Sequence, residues 1–360
     1  MSIINVFRQK WQKHVQRRRN RQSAYYRGIE KNHIFCYQKE IYRRSALPLQ
    51  DIEELSQPID DSWLSSCAID TEEPLYYGAI QALLDYAGLS LFSMPPVKLG
   101  IQHGYVFEIC NWEKSKLDIR NLVWSKRLVE MYREYTANPD IYAIGAPFFY
   151  ATSLLSEEQL QSEKKRLGRN LLAFPMHSET HVDTNYNPQK FLDILAEERK
   201  HFDTVRVCMY WKDVLRGIHK VFEDAGYECV CNGHLFDPNF LRRQKSLFEL
   251  ADATISNGVG SHIGYSLYMG KPHWLIDDEY EYVNSSKIGD AEELTDVANK
   301  ENFLRVKRAF LNNADYKITT SQRDIIDEFW GISAMKTPEE LKKLLLYLYD
   351  LQESAKSDMA

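Results

Sequence analysis

Residues 256–262 read S-N-G-V-G-S-H, a run of small and polar residues directly before an apolar stretch. Glycines let the backbone approach a ligand closely, and the first turn of a helix offers free N–H groups that attract anions. We therefore predict that this turn binds a phosphate group through Asn257, Gly258, Gly260, Ser261 and His262. It matches neither the Walker sequence nor the G-x-G-x-x-G dinucleotide pattern, so a glycine-rich turn with a purely structural role is the alternative.

Polar residues also follow two other predicted strands. The candidates are His177 and Ser178 after strand 171–174, Asn232 and His234 after strand 228–231, and Arg243 in the following helix. Because the carboxyl ends of parallel strands meet at one edge of a sheet, we expect the first four beside the glycine-rich turn. The arginine is the candidate for balancing phosphate charge. The alternatives are a proline-containing loop with a helix cap, and a solvated helix face for the arginine.

A candidate acid–base pair lies in the stretch G-I-Q-H-G-Y-V-F-E, residues 100–108. His103 occupies the tip that follows a predicted strand, and a histidine titrates near neutral pH, as a general base should. Glu108 is the competing base, and either residue could instead orient the other. A structural role for a single histidine is the alternative.

The elements that must position these residues form two series in which short apolar runs alternate with helical patterns, over about 97–144 and 171–276. This alternation predicts parallel sheets, and hence an α/β fold of two Rossmann-like, doubly wound domains. The expected segments are a basic N-terminal segment 1–50, domains 51–155 and 156–335, and a C-terminal helix 336–360 capped by Thr337. Residues 151–170 should link the domains, and residues 213–225 should form one helix.

The charge distribution is uneven. The net charge is −6, yet residues 1–44 contain twelve Lys or Arg against two Glu, a local charge of about +10. Ile4, Phe7, Trp11 and Val15 recur there at helical spacing. A basic amphipathic helix of this kind predicts binding of residues 1–45 to an anionic membrane surface. Docking on the protein's own acidic body or on a second copy is the alternative, and nucleic acid is not the expected partner because the other domains are not basic.

The remaining composition points to a cytoplasmic protein. No run of 18 apolar residues predicts a membrane span, and residues 1–10 lack the pattern of a secretory signal. Six scattered cysteines without metal-ligand spacing favour reduced thiols. We expect a peripheral protein on the inner face of the cytoplasmic membrane.

The stretch DATISNGVGSHIGYSLYMGKP, Asp252 to Pro272, resembles the donor-binding core of GT-B glycosyltransferases, in particular those of bacterial capsule, O-antigen and lipopolysaccharide synthesis. The resemblance covers residues 170–280 well and the first unit more loosely. The acidic residue that many such enzymes place in this helix is absent. Asp277, Asp278 and Glu279 could serve in its place.

The resemblance implies two Rossmann-like domains facing a cleft, with the nucleotide-sugar donor in 156–335, a lipid-linked saccharide acceptor in 51–155, and the last helix bracing the latter. The donor would then be held by the glycine-rich turn together with His177, Ser178, Asn232, His234 and Arg243. His103 or Glu108 would act as the base of an inverting reaction. With no Asp-x-Asp triplet, no metal or cofactor is expected. A CDP-polyol phosphotransferase of teichoic-type polymer synthesis and a non-catalytic scaffold in polysaccharide assembly are the alternatives.

Overall fold

The computed structural model describes residues 39–40, 42–59, 73–89, 99–110, 114, 119–287, 289–311 and 313–358. The amphipathic segment with Ile4, Phe7, Trp11 and Val15, and with it most of the expected membrane-binding region, lies outside the described residues. None of the described helices combines the length and the apolar character that a membrane crossing requires.

The described elements alternate along the chain as an α/β protein does. The strands are β1 (Leu99–Ile101), β2 (Arg120–Val123), β3 (Ile141–Ala143), β4 (Asn170–Phe174), β5 (Val182–Tyr186), β6 (Thr204–Met209), β7 (Glu228–Cys231), β8 (Ala253–Ser256), β9 (His273–Leu275) and β10 (Tyr280–Asn284). The helices are α1 (Ile52–Ser56), α2 (Ala79–Tyr86), α3 (Lys126–Arg133), α4 (Glu157–Leu167), α5 (Pro188–Glu198), α6 (Trp211–Leu215), α7 (His219–Asp224), α8 (Phe240–Leu250), α9 (His262–Tyr268), α10 (Ala291–Ala298), α11 (Glu301–Phe310), α12 (Thr320–Trp330) and α13 (Pro338–Asp358).

The first sheet has the order β1-β2-β3, and both of its strand pairs are parallel. Helix α3 makes the crossover between β2 and β3. It begins where the Ser125 hydroxyl accepts a hydrogen bond from the Leu128 N–H, and it buries Leu128, Val129 and Tyr132, which share one face of the helix. The parallel arrangement expected for this part of the chain is confirmed.

The second sheet has the order β7-β6-β4-β8-β9 and is parallel throughout. Successive residues of its central strand face opposite layers, since Leu172 belongs to the buried cluster that includes Leu247 of α8, and Leu171 to the separate cluster that includes Phe191 of α5. Helices therefore cover both faces. The doubly wound arrangement is confirmed for this sheet.

One expectation about its connections needs correction. Residues 213–225 do not form one helix but two, α6 and α7, because Gly217 adopts a left-handed φ of 78° between them. The polar run predicted to link the domains contains α4, at whose start Ser156 and Gln159 form a reciprocal cap.

Buried aromatic side chains join the second sheet to the first. Helix α9 lies at this junction: its Tyr265 ring stacks on Phe148 with 4.2 Å between the ring centres, and Gly264 faces the Trp330 indole. A Cβ atom at Gly264 would come within 2.4 Å of that indole, so only glycine fits there. One set of buried apolar residues thus extends from one sheet to the other.

The last helix, α13, contacts the first half of the chain. Thr337 and Glu340 cap it reciprocally, as its sequence predicts, and it packs on α2. The Arg120 guanidinium donates a 3.3 Å hydrogen bond to the Leu348 carbonyl. The contact ties the end of the described chain to β2.

Candidate functional site

A cavity of about 530 Å³ lies where the carboxyl ends of both parallel sheets face each other. Residues that follow β1, among them Gln102 and His103, form one wall. Residues that follow β4, β6 and β7, among them His177, Tyr210 and Asn232, form another. Parallel α/β sheets bind their ligands at this edge, and the volume suits a small-molecule ligand.

The structure brings seven of the twelve predicted site residues to this cavity. The residues lining it are His103, Glu108, His177, Asn232, Gly260, Ser261 and His262. The other five, Ser178, His234, Arg243, Asn257 and Gly258, lie behind the walls and are engaged with the protein itself.

The two candidate bases occupy the wall that follows β1. The His103 ring meets the Tyr76 ring edge to face, with 4.9 Å between ring centres, and lies 5.9 Å from the Tyr77 ring. Glu108 is not free of partners, because its Oε1 accepts a 2.6 Å hydrogen bond from the Asn302 side-chain amide. Both residues face the cavity, but from different local environments.

A cluster of three side chains, His177, Tyr210 and Tyr77, connects the two walls. His177 stacks on Tyr210, and the Tyr210 hydroxyl lies 3.1 Å from the Tyr77 hydroxyl. Tyr77 adopts a left-handed φ of 60°, an uncommon conformation for a bulky residue and one that tends to occur at functional sites. Burial raises the pKa of both phenols above the ordinary value, so each remains a neutral hydrogen-bonding group at neutral pH.

The glycines of the turn after β8 make room for the protein's own side chains. A Cβ atom at Gly258 would lie 2.1 Å from the Met176 sulfur, and one at Gly260 would lie 2.5 Å from the His262 ring. The close contact with the backbone that the glycines predict is therefore already made by other side chains of the protein. Gly260 and Ser261 still line the cavity, and their N–H groups donate to no group that the structure describes.

His262 lies flat on Phe174, with 4.6 Å between ring centres and 8° between ring planes. Burial lowers the pKa of its imidazole well below the usual value, and His273 and His177 lower it further, so the ring is neutral. Its Nε2 is buried and has no hydrogen-bond partner among the described residues. This histidine can contribute a hydrogen bond to a ligand but not a charge.

Arg243 lies in the interior, not on the cavity wall. Its guanidinium is fully buried, forms a 2.8 Å ion pair with Asp237, and donates to the carbonyls of Asn232 and Arg44. These partners occupy the guanidinium because the face of α8 that carries Arg243 packs inward. It ties the segment around Arg44 to the second sheet.

His234 and Asn257 also have internal partners. The His234 Nδ1 accepts a hydrogen bond from the Phe236 N–H, and burial lowers the pKa of this imidazole to about 4. Asn257 accepts a 2.6 Å hydrogen bond from the Met176 N–H and donates to the Asp278 carboxylate. Neither side chain reaches the cavity.

Ser178 is the centre of a buried clamp. Its hydroxyl donates to the Asp213 carboxylate at 2.7 Å and accepts hydrogen bonds from the Thr184 N–H and the Arg216 guanidinium. Asp213 also accepts from the Ser178 N–H at 2.8 Å. The clamp fixes the loop between β4 and β5, whose neighbouring residue His177 reaches the cavity.

Lys212 completes this clamp from the next helix. Its ammonium group donates to the carbonyl of Glu179 at 2.7 Å, to the Ser285 hydroxyl at 2.8 Å, and forms an ion pair with Asp183. It therefore joins the loop to the antiparallel pair β5 and β10, which sequence patterns did not reveal.

Glu179, on the clamped loop, is a cavity residue that the candidate list from the sequence lacks. Its carboxylate makes no hydrogen bond or ion pair with any residue that the structure describes. The side chain is exposed to the open space of the cavity, and the desolvation that the surrounding protein still imposes raises its pKa. The polar run H-S-E-T-H at 177–181 was the signal that could have identified it.

The described walls of the cavity contain no lysine or arginine. Their ionisable groups comprise three carboxylates, four histidines, seven tyrosines and two cysteines: Glu108, Glu179, Asp290, His103, His177, His181, His262, Tyr76, Tyr77, Tyr105, Tyr132, Tyr210, Tyr265, Tyr282, Cys110 and Cys208. Aromatic rings suit stacking on a nucleobase or a sugar ring. A polar ligand would be held here mainly by hydrogen bonds and imidazoles. Among the described residues, no cluster of three or more His, Cys, Asp or Glu side chains could hold a metal ion.

Comparisons with known proteins find similarity among solved structures. No protein-family model and no curated protein sequence matches the chain. Among solved structures, the chain is similar to sucrose-phosphate synthase from Thermosynechococcus elongatus, with 10% sequence identity and a TM-score of 0.31. The alignment covers 71% of this chain and 68% of that protein.

Proposed function

We propose that this chain is a glycosyltransferase, which moves a sugar from a nucleotide-sugar donor to a saccharide hydroxyl inside the cavity. The observation that carries the proposal is that one cavity is lined by the carboxyl ends of two parallel sheets. Such an arrangement lets a donor and an acceptor, each held by one sheet, meet in a single space. Holding two reactants together is the main requirement of group transfer.

The second sheet is the proposed donor side. The N–H groups of Gly260 and Ser261, together with His177, would contact the donor phosphate, and the rings of Tyr210 and Phe174 would contact its base or sugar. Since the described walls offer no lysine or arginine, imidazoles and backbone amides would supply the phosphate contacts. Asn232 would add a polar contact on the same edge.

The first sheet is the proposed acceptor side. We propose direct displacement at the sugar carbon, with inversion of configuration and without a metal ion, and a lipid-linked saccharide of a cell-surface polysaccharide as the acceptor. Binding of the basic segment 1–45 to an anionic membrane would bring the cavity to that acceptor. His103 would contact the acceptor from its position after β1.

A nucleotide panel tests the proposal. The melting temperature of the full chain would be measured with CMP, CDP, UDP, GDP and dTDP. One of them should stabilise the protein, by about 2.7 kcal/mol when present at a hundred times its dissociation constant. Nucleotide sugars and CDP-polyols carrying that base would then be compared as substrates, and consumption of the CDP-polyol alone would favour a polyol phosphotransferase.

Matched tyrosine variants assign any shift to the cavity. Tyr210→Ala should abolish the stabilisation, because Tyr210 lines the cavity, whereas Tyr135→Ala should retain it, because Tyr135 is exposed and outside the cavity lining. Stabilisation by none of the five nucleotides would refute the proposal, as would equal stabilisation of both variants.

A further inference from the structure

The only carboxylate on the donor-side loop that faces the cavity is, among the described residues, Glu179. The groups whose charges act on it come from several elements: His177 on its own loop, and Lys212 and Asp213 on α6. The charge of Glu179 in turn contributes to raising the pKa of four tyrosines: Tyr77, Tyr105, Tyr210 and Tyr282. Glu179 and tyrosines from both walls thus line the same cavity.

The backbone of Glu179 is held firmly although its carboxylate has no partner. Its N–H donates to the Val182 carbonyl at 2.7 Å, and its carbonyl accepts from the Lys212 ammonium at 2.7 Å. The preceding residue, Ser178, is the centre of the buried clamp with Asp213. A loop fixed in this way directs one unpaired carboxylate into the cavity, which is how a catalytic group must be supported.

We propose that Glu179 is the general base of the transfer reaction, a role that rests on the glycosyltransferase function proposed above. The acceptor oxygen forms its bond to the sugar carbon while its proton passes to a Glu179 carboxylate oxygen. The bond between that carbon and the phosphate oxygen breaks at the same time, and its electron pair leaves with the nucleotide. The proton on Glu179 then passes to water, so the cycle closes without any other reactant.

The environment of Glu179 suits this role better than that of the other candidates. Desolvation raises its pKa, so its carboxylate accepts a proton more readily than that of an ordinary glutamate does. Glu108 has one oxygen occupied by the Asn302 amide at 2.6 Å. His103 lies between two tyrosine rings on the opposite wall, where it would orient the acceptor.

The test compares Glu179→Gln with the wild-type full chain and two matched variants. Glu108→Gln removes the rival carboxylate, and Glu281→Gln removes an exposed glutamate of β10. The probe is the nucleotide that stabilises the wild-type chain, together with its commercially available sugar conjugates. Release of nucleotide is followed with water as acceptor, because water attack needs the same base.

Glu179→Gln should show the same nucleotide-induced melting shift as the wild type, but its turnover should fall by about 10²- to 10⁴-fold with little change in donor KM. The wild-type rate should rise with pH as Glu179 loses its proton and then level off. Glu179→Asp should keep this rising limb at a lower rate, whereas Glu179→Gln should lack it. Glu281→Gln should behave as the wild type.

The outcomes separate the two proposals. A normal melting shift with turnover within threefold of the wild type in Glu179→Gln would overturn the role of Glu179 alone, as would a large loss confined to Glu108→Gln. Nucleotide binding without any donor cleavage by the wild type would also overturn it. Absence of nucleotide binding by the wild type would overturn the glycosyltransferase function and the role of Glu179 together.

Discussion

Ser178→Ala separates two roles for one residue, contact with a donor phosphate or support of the loop that lines the cavity. The structure places the Ser178 hydroxyl in a fully buried position, bonded to Asp213 at 2.7 Å, Arg216 at 2.7 Å and the Thr184 N–H at 3.1 Å. We therefore expect the substitution to destabilise the protein before any ligand is added.

The size of the effect follows from the partners that lose the hydroxyl. Alanine fits the space without strain, but it leaves the Thr184 N–H without its acceptor and removes one hydrogen bond each from Asp213 and Arg216. An unsatisfied buried group costs about 1–3 kcal/mol, and Arg216 and Asp213 retain their own 3.1 Å contact. We expect the free energy of unfolding to fall by about 3 kcal/mol.

Urea unfolding of the ligand-free chain, followed by circular dichroism, measures this loss. Ser162→Ala is the matched control, since Ser162 is exposed on α4 and its replacement should change the free energy by less than about 0.5 kcal/mol. An unchanged unfolding free energy in Ser178→Ala, combined with loss of nucleotide binding, would refute the supporting role and favour direct contact with the donor.

Three further perturbations address the packing, the pH dependence and the loop. Gly264→Ala should lower the free energy of unfolding by about 1–3 kcal/mol, because the new methyl group would lie 2.4 Å from the Trp330 ring. The free energy of unfolding should fall as pH decreases from about 6.5 to 4, because the pKa of His234 is about 4 in the folded protein and the imidazole stays neutral there. His234→Asn should remove up to about 3 kcal/mol of this pH dependence, which urea unfolding at each pH measures. Lys212→Met should speed hydrogen exchange in β5 and β10, because the ammonium group no longer joins the loop to Ser285.

Each perturbation has a control of the same chemical type. Gly104→Ala should be neutral, since no atom lies within 4 Å of the added methyl group. His201→Asn changes an exposed histidine and should leave the pH dependence as it is, and Lys220→Met, also at an exposed position, should not alter exchange in β5. A destabilised Gly104→Ala, an unchanged pH slope in His234→Asn, or unaltered exchange in Lys212→Met would contradict the corresponding argument.

The strands of the second sheet could be predicted because the local sequence determines them. A parallel strand buried on both faces reads as a short apolar run; β7 has the predicted bounds, 228–231, and β4 begins one residue before the predicted run 171–174. Pairing between distant segments leaves no such trace. Strand β5, V-D-T-N-Y, finds its partner β10 almost a hundred residues later, so its alternating pattern alone gave no reason to expect a sheet.

The edge of the sheet could be predicted for site residues, but not the direction of each side chain. His177 and Ser178 are neighbours on the same loop, yet one stacks on Tyr210 at the cavity and the other turns inward to Asp213. The difference depends on a residue 35 positions away. Arg243 shows the same limit, because it forms an ion pair with the nearby Asp237 but also bonds the carbonyl of Arg44, 199 residues earlier in the chain.

The glycine-rich turn shows why a correct inference about the backbone did not identify the ligand. Glycine indicates that something comes close to the backbone, and the structure finds Met176 against Gly258 and His262 against Gly260. The glycines are therefore required whether or not a phosphate binds, and their presence cannot distinguish the two cases. What does distinguish them is the unpaired polarity left at the cavity, namely the N–H groups of the turn and the buried Nε2 of His262. Because buried polar groups are costly without partners, these atoms are the stronger argument for a ligand than the glycines that first suggested one.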